Sequence, residues 1–125
     1  MADIQFKQGE DIVIPVSVIK SGSPVDLSDC ENVKAILKVN GIEQKKYSVV
    51  AESNYGVIVI DSVNTNKAKI IVEREESKSF PVGAISIILL AAFTDVTFAD
   101  SVRVEEYKFN IGRVITGEAA AEIIP

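Results

Sequence analysis

The sequence predicts an all-β domain built as a two-sheet, mainly antiparallel β-sandwich. Three observations carry that expectation. Short apolar/polar alternations recur along most of the chain, separated by Gly, Asn, Pro and Ser turns, and give about eight strand segments. The dipeptide Asn40-Gly41 sits between two such segments and is the strongest hairpin signal in the chain, because a type I′ turn needs positive φ at both central residues. The stretch Gly83–Phe93 is the longest uncharged apolar run, and at 11 residues it falls well short of the roughly 18–20 that a membrane helix requires.

Taken in order, Ile4-Gln5-Phe6 is a brief alternating segment that Lys7–Glu10 turns. From Asp11 to Lys20 the alternation is clean, with Ile12, Ile14, Val16 and Val18 sharing a face. Pro15 has no N–H to give a ladder, so this strand is expected at an edge or with a bulge. Ser21–Pro24 is a turn, and Val25–Ser28 a short crossing segment. Val33, Ala35, Leu37 and Val39 alternate with Lys34, Lys38 and Asn40, as a half-buried strand does. Across the Asn40-Gly41 turn, pairing Val39 with Ile42 places Lys38 opposite Glu43, a favourable charge pair. The return strand runs through Tyr47 and Val49 and is broken at Glu52–Gly56.

Val57–Asp61 forms the next strand, Asn64–Asn66 a turn, and Ala68, Ile70 and Val72 a further inward set. Glu75–Phe80 reads as a polar connector holding one helical turn. The Gly83–Phe93 run then offers two apolar faces, Ala84, Ile88, Leu90 and Ala92 against Ile85, Ile87, Leu89 and Phe93. β-Branched Ile85, Ile87 and Ile88, and the absence of a capping side chain in Pro81-Val82-Gly83, favour a strand over a helix. Apolarity on both faces predicts a central strand covered on both. Thr94–Ser101 is a loop containing Val96 and Phe98.

In the last strand, Val102 and Val104 share one parity while Tyr107, Phe109 and Ile111 share the other, so a bulge is expected at Glu105-Glu106. Residues 1–116 are expected to form the sandwich domain and residues 117–125 a C-terminal contact arm. The disulfide and buried Trp of immunoglobulin domains are both absent, so the Ig-like label concerns architecture only.

Composition narrows the function classes. A chain of 125 residues is long enough for one domain with a proper core. The net charge of −5, with acids interspersed, argues against nucleic acid or an anionic membrane as partner, since phosphate binding needs a basic face. The chain contains no histidine, which removes Ser-His-Asp and Cys-His catalysis and histidine-bearing zinc sites. Cys30, the single cysteine, has no such base to activate it and reads as inert. The N-terminal residues show no basic region followed by an apolar stretch, so synthesis in a reducing cytoplasm is expected.

The acidic doublets Glu10-Asp11, Glu75-Glu76 and Glu105-Glu106 do not suggest an acid/base pair, because neighbours on a strand point to opposite faces. Asp61, Asn64 and Asn66 do not match the spacing of a calcium loop. No catalytic, cofactor-binding or metal-ligating residues are assigned, and no cofactor is expected.

With the segments in place, the opening Phe6-Lys7-Gln8-Gly9-Glu10-Asp11-Ile12-Val13-Ile14-Pro15-Val16 and the following Gly22-Ser23-Pro24-Val25-Asp26-Leu27-Ser28 resemble the small Ig-like β-sandwich modules of tailed-phage virion proteins. Such modules occur near the N-termini of upper baseplate proteins and in head-fibre proteins. Phe80-Pro81-Val82-Gly83 leading into a strand, and a strand ending near Ile111-Gly112-Arg113-Val114-Ile115-Thr116, look like their closing hairpin. The chain departs from them in lacking a tyrosine after Gly83 and a following receptor-binding or fibre domain.

The resemblance transfers no functional residue set. It implies a non-catalytic structural or accessory subunit of a virion, made in the bacterial host cytoplasm. Its expected partners are copies of itself, as a trimer or dimer, and other virion proteins, without nucleic acid or membrane insertion. The expected contact residues are Ile87, Leu89 and Phe93 on the central strand and Ile123 and Ile124 in the tail. A monomeric ligand- or glycan-binding β-sandwich is the alternative.

Overall fold

The computed structural model describes residues 4–117. Residues 118–125, and with them the tail contacts expected at Ile123 and Ile124, lie outside the described residues. The strands are β1 (Ile4–Lys7), β2 (Ile12–Ser17), β3 (Ile19–Lys20), β4 (Ser23–Pro24), β5 (Cys30–Val39), β6 (Ile42–Ser48), β7 (Gly56–Ile60), β8 (Lys67–Val72), β9 (Gly83–Thr94) and β10 (Val102–Ile115). A single helical turn, α1 (Arg74–Ser77), lies between β8 and β9.

The chain is mostly β. Eight strands form one mixed, nearly closed sheet in the order β1-β10-β9-β5-β6-β7-β8-β2, where the sequence reading expects two antiparallel sheets. Two of its pairings are parallel, β1 with β10 and β6 with β7. Strands β3 and β4 form a separate two-stranded hairpin. The end strands β1 and β2 are consecutive in the chain and joined by the short Gln8–Asp11 turn, which brings the two edges of the sheet to the same side.

The interior follows the two-residue period. Ile12, Ile14, Val16 and Val18 are buried, as are Val33, Ala35, Leu37 and Val39 and the inward set Ala68, Ile70 and Val72. The Asn40-Gly41 hairpin has the expected form: both residues have positive φ, Val39 pairs with Ile42, and Lys38 lies opposite Glu43. Pro15 sits on β2, an end strand that pairs only with β8.

Polar ties fix the chain where it turns. Ser77, fully buried in α1, accepts a hydrogen bond from the Gly9 N–H at 3.0 Å and donates to the Glu10 carbonyl at 2.8 Å. Tyr47 is also fully buried, and its hydroxyl donates to Glu76 Oε2 at 2.8 Å while Lys45 Nζ lies 3.1 Å from Oε1. Burial and the Glu76 carboxylate together push the Tyr47 hydroxyl far above the usual tyrosine range.

Two expectations are corrected. β9 is central, between β10 and β5, but only one of its faces is fully buried. Ile85, Ile87, Leu89 and Ala91 are buried, whereas Ser86, Ile88, Leu90 and Ala92 are half-exposed. The β9–β10 loop does not cover that face, since Val96 is 86% exposed and Phe98 48% exposed.

The irregularity in β10 also lies elsewhere. Pairing with β9 is continuous from Val102 to Asn110 and shifts between Asn110 and Gly112, leaving Ile111 as the extra residue. No bulge occurs at Glu105-Glu106, so Val104 faces out while Arg103 and Glu105 take the inner side. The later position has a physical cause at Gly112, where β1 crosses so closely that an added Cβ would lie 1.9 Å from the Ile4 carbonyl oxygen.

Candidate functional site

Two of the three expected contact residues of β9 do not reach the surface. Ile87 and Leu89 have no exposed area; they form part of the core and present nothing to a partner. Phe93, near the open end of the strand, is half-buried with the Arg103 guanidinium over its ring at 4.7 Å. The structure therefore does not bring the three together as a surface.

A different apolar surface is present. Along β2, β8 and β7 the register places Val13 opposite Ile71 and Ile71 opposite Val57, with Pro15, Lys69 and Val59 forming the next row. All six side chains point away from the core. Val13, Val57 and Val59 are 52%, 54% and 49% exposed. Single exposed valines need no explanation, whereas a contiguous apolar cluster across three strands stands out from an ordinary surface. The signal was present in the sequence, because Ile12–Val16 and Val57–Ile60 carry apolar residues at both parities, as Gly83–Phe93 does.

At the start of β10 the inner positions hold a charge cluster instead of valines. Arg103 Nη1 lies 2.8 Å from Glu105 Oε2, and its Nε lies 3.2 Å from Asp95 Oδ2. Lys20, from the β3–β4 hairpin, pairs with the other Glu105 oxygen, and the Tyr107 hydroxyl donates to Oε2 at 3.0 Å. Lys20, Tyr107 and Arg103 hold the Glu105 carboxyl below the usual carboxylate range. Desolvation and that same carboxylate push Tyr107 up to about 12.

Cys30 borders this cluster, and burial with Asp26, Asp29 and Glu105 nearby raises its thiol to about 11. A thiol with that pKa stays protonated at neutral pH and is a poor nucleophile. Every carboxylate oxygen of Glu105 already has a cation or hydroxyl partner, so the cluster is a clamp between β3 and β10 rather than a reactive centre.

The half-exposed face of β9 continues onto β5, where Ile36 pairs with Ile88 and Lys34 with Leu90. A depression of about 100 Å³ lies there, lined by Lys34, Ala35, Ile36, Lys46, Tyr55 and Leu90. Its size is below the roughly 300 Å³ at which small-molecule sites begin. Lys34 is moreover engaged, 3.0 Å from Glu52 and 5.0 Å from the Tyr55 ring centre.

The arrangement thus defines a β-rich domain with an exposed apolar patch on β2, β8 and β7, and with no assembled reactive groups among the described residues. Compared with known proteins, the chain matches no family model, no curated protein and no solved structure.

Proposed function

We propose that this protein is a non-catalytic structural subunit that associates with copies of itself and with other proteins of a particle. The observation that carries the reading is the exposed apolar face formed by Val13, Pro15, Val57, Val59 and Ile71. Covering such a patch removes apolar area from water at about 25 cal/mol per Å², and identical subunits most simply cover it by closed symmetry.

The particle assigned by this reading is a tailed-phage virion, on the resemblance to the small Ig-like modules described above. The strand order bears on the Ig-like architecture in that resemblance and not on the particle. β10, β9, β5 and β6 can be read as one layer, with β1 added in parallel, and β2, β8 and β7 as the other. Among the described residues, strand pairing joins the two layers at two residue pairs, Tyr47–Gly56 and Ser48–Val57. Read in that way, the domain is an Ig-like sandwich with an extra strand on the larger sheet.

Light scattering over a range of protein concentrations tests the reading. The parent should exceed monomer mass, and Val57→Lys and Val13→Lys should shift it toward monomer without lowering thermal stability, because both side chains are outside the core. A parent that remains monomeric at every concentration and binds an immobilised glycan would overturn the proposal in favour of a monomeric binding module.

A further inference from the structure

Among the described residues, the sheet has an unfilled strand position. β1 pairs with β10 only from Gly112 to Ile115. From Val102 to Asn110, β10 pairs with β9 on one side and with no strand on the other among the described residues. The N–H and C=O groups along that free edge are a template for another strand.

A groove of about 330 Å³ follows this edge, lined by Glu106, Tyr107, Lys108 and Phe109 on one wall and by Ser17, Val18 and Ile19 on the other. Four consecutive residues of one strand contribute, so the groove runs along the edge and not over a face. The Lys20–Glu105 ion pair ties its two walls together near one end. Tyr107 and Phe109 are on the inner side of β10 yet remain only partly buried.

We infer that the groove accepts residues 118–125 of a second copy as an added strand between β10 and β2. The inference rests on the self-association reading above and names one of its contacts. In extended form, Ala119, Ala121 and Ile123 fall on one side of that segment. Two alanines suit a narrow slot, and Ile123 supplies the apolar cover that Tyr107 and Phe109 lack. Glu122 falls on the opposite side, where the exposed Lys108, 3.6 Å from the Glu106 carboxylate, can share its charge with a second acid.

Geometry selects a second copy over the chain's own tail. Gly117 lies beside Gln8, at the far end of β10 from the groove. Eight positions separate Gly117 from Phe109, about 26 Å at the strand rise of ~3.3 Å per residue. Residues 118–125 of the same chain would spend their whole extended length reaching the rim. Donation from another copy carries no such restriction and, being head-to-tail, propagates as a ring or an open chain.

A labelled peptide of residues 117–125, titrated into the full chain at a concentration below self-association, tests the inference. Saturable binding is expected, weakened at least tenfold by Ile19→Arg in the protein and by Ile123→Asp in the peptide. Mixing an Ile19→Cys chain with an Ile123→Cys chain, both in a Cys30→Ser background, should give a disulfide between copies. Absence of peptide binding up to millimolar concentration, or binding indifferent to both substitutions, would overturn the inference. Self-association that survives Ile123→Asp would overturn it too, while leaving the structural-subunit reading in place. A parent that is monomeric throughout would remove that reading, and peptide binding would still decide whether the groove takes a strand.

Discussion

Gly112 and Glu105 show how single residues set the form of the longest strand. At Gly112 the backbone has φ +157°, and a Cβ would meet the Ile4 carbonyl oxygen at 1.9 Å. Backbone cannot yield as a flexible side chain would, so Gly112→Ala should cost about 2 kcal/mol or more, measurable by chemical denaturation. Gly83 differs, since its Cβ position falls 2.0 Å from Asn40 Oδ1, a side-chain atom that accepts the Ala84 N–H at 3.1 Å and that can move at the loss of that bond.

Glu105 gives a pH dependence with a definite sign. Its carboxyl is held below its ordinary value of 4.5 by Lys20 first, then by Tyr107 and Arg103. A depressed folded-state pKa contributes stability above the unfolded value that is lost as pH falls through the folded one. Melting temperature should therefore drop on acidification below about 4.5, and Glu105→Gln should drop less over the same range. An equal fall in both proteins would show that Glu105 is not the group responsible.

At the scale of elements, β9 and β10 carry most of the informative detail. Leu89 is fully buried on β9, and Leu89→Ala should destabilise by roughly 2–5 kcal/mol in a denaturant titration, the range for a core cavity. In β10 the extra residue is Ile111, and removing it would leave Asn110 and Gly112 in continuous register with Ser86 and Ile85. Removing Glu106 would instead displace Val102–Glu105 by one position. That exchanges faces and separates Arg103 and Glu105 from Asp95 and Lys20. The Glu106 deletion should thus melt lower than the Ile111 deletion.

The phase change between Val104 and Tyr107 was legible in the sequence, but its cause was not. A bulge and an inward charge cluster both reconcile that pattern. Alternation alone does not distinguish them, because Lys20 and Asp95 are distant in sequence from Glu105 and Arg103.

For the whole molecule, the distribution of apolar surface matters more than its amount. β9 reads as covered on both faces, yet its outer face is only partly shielded, and a cluster of exposed valines lies on β2 and β7. Replacing both Val57 and Val59 with Lys should leave the folding free energy within about 0.5 kcal/mol, as surface substitutions do. The same variant should sediment as a smaller species than the parent. Retained assembly would move the main contact to the free edge of β10.

Local pattern by itself determined the β class, most strand segments (though not β4, expected as part of a turn) and the Asn40-Gly41 hairpin with its Lys38–Glu43 pair. It also determined the inward sets Ile12–Val18 and Ala68–Val72, and it limited Pro15 to an edge strand or a bulge. Each of these depends on φ preference, the two-residue period or a missing N–H, all of which act between near neighbours. The tertiary structure alone decided that eight strands join in one mixed sheet, that Ile87 and Leu89 belong to the core, and that β1 covers only one end of β10. Those outcomes depend on which strands lie beside one another, and strand adjacency is fixed by packing and loop geometry across the whole chain rather than by any segment's own alternation.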